Sequence, residues 1–115
     1  EWVWAEAAGG PSADQSARAH YAGLARLPQN LVIAEPGPDL MFDDRVYKRG
    51  ALAVHALRRL LGDEAFFDLV RAWTSTHRHS LVHTEDFRML VAERGGPRAA
   101  DVLSAWIDQA PLPKL

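Results

Sequence analysis

DDRVYKRGALAVHALRRLL, residues 43–61, has every local mark of an amphipathic helix. At about 100° per residue, Val46, Gly50, Ala53, Val54, Leu57, Leu60 and Leu61 fall on one face, with Lys48, His55 and Arg59 opposite. Asp43 and Asp44 complement the positive end of the helix dipole, and Arg58 and Arg59 the negative end. Gly50 inside the apolar stripe costs about 1 kcal/mol of helix propensity relative to alanine, which predicts a close backbone approach by a neighbour. Tyr47 sits at the edge of the stripe, where a ring can pack while its hydroxyl reaches a cleft.

Outward from this helix, punctuation divides the rest of the chain into more helices. Gly62 ends the central helix and Asp63 can cap the next, which buries Phe66, Phe67, Val70, Trp73 and Thr74. The two make a tightly connected antiparallel hairpin. HRHSLVH (77–83) is a polar break, after which Thr84 caps a helix carrying Phe87, Leu90 and Val91 inward. Gly95-Gly96 interrupts it, and Pro97 suits the first position of a last helix with Val102, Leu103, Trp106 and Ile107 on its packing face.

On the N-terminal side, Ser12-Ala-Asp-Gln15 fits a capping box opening a helix to Arg26, with Ala17, Tyr21, Leu24 and Ala25 at helical spacing. Glu1–Ala8 is a short helix stopped by Gly9-Gly10, and its Trp2 and Trp4 are expected to pack in a core. Residues 29–42 hold Pro36 and Pro38 with no sustained period, yet are too apolar for a solvated linker, so they read as an ordered loop. The class is all-α: a single helical unit over residues 1–115, a bundle of five to six helices.

Composition narrows the function. The 115 residues allow one domain with a modest core. A formal net charge of −2 argues against a nucleic-acid partner, because phosphate recognition wants a concentrated basic surface. Zero cysteines exclude thiolate metal sites and disulfides, without fixing a compartment. No apolar run approaches the roughly 20 residues of a membrane span. The chain starts at Glu1 with Trp-Val-Trp directly behind it, the opening expected of a piece of a longer protein.

Two clusters could carry chemistry. His77, His79 and His83 offer imidazoles, but they straddle a helix end, a turn and a cap without the spacing of a helical zinc pair, so a solvated loop explains them better. Asp43-Asp44 could act as an acid–base pair, but helix capping accounts for them with less. His20 and His55 read as surface residues. Spacing alone reveals no reaction.

A resemblance does. Val46-Tyr-Lys-Arg-Gly-Ala-Leu52, His55-Ala-Leu-Arg58, Gly62-Asp-Glu-Ala-Phe-Phe67, Trp73, Thr84-Glu-Asp-Phe87, Trp106 and Pro111-Leu-Pro113 resemble the M1 family of zinc aminopeptidases. They look like the C-terminal helical half of its thermolysin-like catalytic domain, with Lys48-Arg49 where the family commonly has Glu-Lys. The resemblance implies a zinc ion and a peptide substrate in the parent protein, and the rest of the M1 catalytic domain as this chain's partner. It also implies zinc ligands and a general base upstream of Glu1, so this chain alone is expected to bind no metal and to be inactive. Tyr47 matches the family's catalytic tyrosine, a neutral phenol donating a hydrogen bond to the oxyanion of the tetrahedral intermediate. The alternatives are a catalytically dead M1-like helical domain kept as an interaction scaffold, and a free-standing helical binding module.

Overall fold

Ser12 and Gln15 form the reciprocal cap that their spacing predicts: the Gln15 N–H donates to Ser12 Oγ (3.1 Å) and the Ser12 N–H to Gln15 Oε1 (2.8 Å). Similar local signals set the ends of α1 (Trp2–Ala7), α2 (Ala13–Leu24), α3 (Asp44–Leu61), α4 (Asp63–Thr76) and α5 (Thr84–Ile107) in the computed structural model, which describes residues 1–115. There is no strand, as the all-α reading expects.

The α3–α4 connection is a single residue. Gly62 closes one helix and opens the other at φ 78°, a left-handed conformation that glycine adopts at no steric cost. Asp63, expected as a cap, lies instead in the first turn of α4, where its carboxylate receives Arg58 at 2.7 and 3.0 Å. α5 is two arms joined at Gly96, whose φ of 75° and ψ of −176° break the helix ahead of Pro97. Arg88 and Asp108 form a two-pronged ion pair although 20 residues separate them. In a straight helix they would stand about 30 Å apart, so the arms fold back on each other. This is the sixth helix that Gly-Gly-Pro foretold.

Gly95 is the close approach at that reversal. A Cβ added there would stand 2.6 Å from the Ala99 Cβ and 3.3 Å from Leu61. Gly95→Ala is expected to destabilise the chain by about 1–3 kcal/mol through overpacking. Gly50 does not behave as its sequence position predicts: a Cβ there meets nothing within 4 Å. Gly50→Ala should therefore stabilise the isolated chain by about 0.5–1 kcal/mol through helix propensity. Thermal melts of the two variants against the parent chain test the contrast.

α3 lies at the centre, packed on α2, α4 and α5. The core joins Ala17 and Leu24 from α2, Leu52, Ala53 and Leu57 from α3, Phe66 and Leu69 from α4, and Val91, Ala99, Leu103, Trp106 and Ile107 from α5. Ion pairs lock its rim. Glu6 accepts from the Ala13 N–H (2.7 Å) and from Arg58 (2.9 Å), tying α1 to α2 and α3. Those donors hold the Glu6 carboxyl below its usual range.

Several expectations from the sequence are corrected. The buried face of α3 is rotated from the apolar stripe: Arg49, Leu52, Ala53, His55 and Leu57 are buried, whereas Val54 is exposed. His55, expected on the surface, is only 6% exposed; it lies 3.3 Å from Asp14 Oδ1 and edge-on to Trp2. Trp2 does pack, stacked on His20 at 5.2 Å, but Trp4 is 75% exposed because α1 presents that side to no neighbour. α2 stops at Leu24 rather than Arg26, since residues 25–27 tighten into a turn. His83, not Thr84, caps α5, its N–H donating to Asp86 Oδ2 (2.7 Å). In α4, Thr74 faces solvent and returns its hydroxyl to the Val70 carbonyl, while Leu69 takes the buried position.

Asp43 caps α3, accepting from the Arg45 N–H at 2.9 Å. Arg45 grips both its carboxylate oxygens at 2.9 Å and extends Nη1 to Asn30 (2.9 Å) and to the Pro28 carbonyl (3.2 Å), fastening the 29–42 loop to the helix start. The Arg45 guanidinium and then its backbone N–H lower the Asp43 pKa from the ordinary 3.8 to about 2. The stability this cap contributes is complete above about pH 4 and disappears as the pH falls towards 2. Asp43→Asn is expected to flatten part of the acid limb of a Tm-against-pH curve and to change little at pH 7 in its slope.

Candidate active site

Tyr47 leaves the first turns of α3 on the side that no other part of the chain covers. It is 59% exposed, and its hydroxyl makes no hydrogen bond within the chain. The packed ring expected from the sequence is therefore not found within this chain. Tyr47, Gly50 and Val54 share this face at helical spacing. Just ahead of the Asp43 cap, Leu40, Met41 and Phe42 are also exposed, Phe42 by 75%.

Below Tyr47 the face opens into an apolar groove of about 410 Å³. Gly50, Ala53 and Val54 of α3 form one side, and Trp73, Val82, His83, Thr84 and Phe87 the other. Ile33 and Ala34 close an end, and the Ala34 N–H donates to the Ile107 carbonyl at 3.0 Å, pinning the loop to the end of α5. Gly50 lines this groove, where a Cβ would meet no atom of the chain within 4 Å.

Other titratable residues do not build a reaction centre. His77 lies against Trp73 at 4.3 Å, His79 is exposed with a φ of 60°, and His83 caps α5. No three histidine, aspartate or glutamate side chains converge as a metal site would require. The residues of this chain do not fit a zinc centre. No helix is long and apolar enough to cross a membrane. A second, wholly polar recess gathers Glu6, Asp14, His55, Arg58, Arg59 and Asp63, and its charges are engaged with one another.

Sequence reasoning missed Arg49. Its guanidinium is buried at the end of α5, although helical periodicity placed no weight on it. The one available signal was its place inside the Val46–Leu52 run.

The fold of this helical chain is similar to part of the M1 zinc metallopeptidases of known structure. No family model matches the chain. In the M1 zinc metallopeptidase from Deinococcus radiodurans, the similarity extends over 99% of this chain at 33% identity and a TM-score of 0.87. A mutant two-domain M1 zinc metallopeptidase bound to L-tryptophan matches equally, at 33% identity and a TM-score of 0.88. Aminopeptidase N from Lactococcus lactis is 31% identical over 74 residues, 64% of this chain. The chain spans 26% of the length of those solved relatives and 9% of the Lactococcus enzyme.

Proposed function

We propose that this chain is the helical part of the catalytic domain of a zinc-dependent aminopeptidase, which removes N-terminal residues from peptides. The similarity to M1 zinc metallopeptidases along 99% of the chain carries this reading. Zinc, held by residues outside this chain, would supply the activated water. Tyr47 acts within that site as a hydrogen-bond donor: its free hydroxyl meets the oxyanion that forms when the peptide carbonyl becomes tetrahedral. A donor already fixed on a helix and engaged with nothing else loses no partner in turning to that charge.

The remainder of the catalytic domain covers the face that bears Tyr47. Phe42, Tyr47 and Val54 are exposed apolar side chains, and Val54 lines the groove, exposure of the kind that marks an interaction site. The chain alone, without a metal-binding cluster, is expected to be inactive.

The full-length protein is expected to hydrolyse aminoacyl amides with a free amino group, to lose that activity on chelation, and to regain it with added zinc. Absence of hydrolysis in the zinc-loaded protein would instead leave a noncatalytic domain acting as a scaffold.

A further inference from the structure

Arg49 is a buried cation without a carboxylate partner. It is 4% exposed and donates only to backbone carbonyls at the end of α5: Nε to Trp106 (2.7 Å), Nη1 to Ala110 (2.6 Å), and Nη2 to Gln109 and Pro111, the latter at 2.9 Å. These oxygens include carbonyls that a helix leaves unpaired at its C-terminus, where the dipole favours positive charge. Burial lowers the Arg49 pKa, yet a guanidinium stays charged, so these carbonyls must keep facing it.

Arg49 stands two residues after Tyr47, which places the side chains about 200° apart around the helix. One side of this turn is thus bolted to residues 106–111 while the other displays the tyrosine. We infer that Arg49 is a positioning residue for Tyr47: by clamping this turn of α3 to the end of α5, it fixes where the tyrosine hydroxyl stands. The inference rests on the proposed role of Tyr47. Reacting groups are sensitive to such placement, since a displacement of about 1 Å can cost roughly 100-fold in rate.

The experiment compares Arg49→Met, Tyr47→Phe and the double variant in the full-length enzyme, assayed on an aminoacyl amide with zinc bound. Arg49→Met is expected to lower kcat by roughly 10- to 100-fold with KM within about 3-fold. Arg49→Lys should recover part of the loss, because an ammonium keeps the charge but offers three donors instead of five. The double variant should be no slower than Tyr47→Phe alone. If Arg49→Met does not fold, Arg49→Lys carries the comparison, its smaller loss again vanishing in the Tyr47→Phe background. An undiminished kcat in folded Arg49→Met, or a loss that persists in the Tyr47→Phe background, overturns the positioning role alone. Full turnover in Tyr47→Phe overturns the reading of Tyr47 beneath it.

Discussion

On the proposed role of Tyr47 as an oxyanion donor, Tyr47→Phe is expected to slow the proposed full-length peptidase by roughly 100- to 1000-fold in kcat, the usual consequence of removing one such donor. The substitution deletes only a hydroxyl, and that hydroxyl bonds to nothing in the chain, so stability should stay within about 0.5 kcal/mol. KM should change little, because the donor acts on charge that develops only in the transition state. Steady-state kinetics together with a thermal melt separate this outcome from a folding defect. Turnover at the parent rate would remove Tyr47 from the mechanism.

The largest effect on stability is expected at Trp106. It is fully buried on the second arm of α5, edge-on to Tyr21 of α2 at 6.4 Å, and is the largest side chain wholly withdrawn from solvent. Trp106→Ala removes that contact and leaves a cavity between α2, α3 and α5, at a cost of about 3–5 kcal/mol. Domains of this kind are stable by only about 5–15 kcal/mol, so the melting temperature should fall on the order of 10–20 °C. Leu81, almost fully exposed, is the control: Leu81→Ala should stay within about 0.5 kcal/mol. Equal melting of the two variants would mean that the core is not organised around Trp106.

The charged ends of α3, its Asp43 cap and the Gly62 stop are local features, and they stand where the sequence put them. Gly95-Gly96-Pro97 likewise marked the break ahead of a last helix, and the structure shows a reversal there that the Arg88–Asp108 pair closes. Tyr47 was singled out by resemblance, since periodicity alone would have left it an edge residue. Arg49 and His55 could not be recognised as buried, because their partners come from distant parts of the chain. Arg49 binds carbonyls 57 to 62 residues away, and His55 faces an aspartate 41 residues away. Trp4 illustrates the opposite error: large apolar area predicts burial only where a neighbour exists to provide it.

The sequence by itself determined, to within a residue or two, where the helices start and stop, because caps, glycine conformations and proline act through neighbouring residues. It also determined the similarity that points to zinc peptidase chemistry. Only the tertiary structure decided which side of α3 is covered. Apolar residues spread around more than half of that helix, so which of them are covered depends on where α2, α4 and α5 pack. Their arrangement buries Leu52, Ala53 and Leu57, draws the Arg49 charge into the end of α5, and leaves Tyr47 facing outward above an open groove.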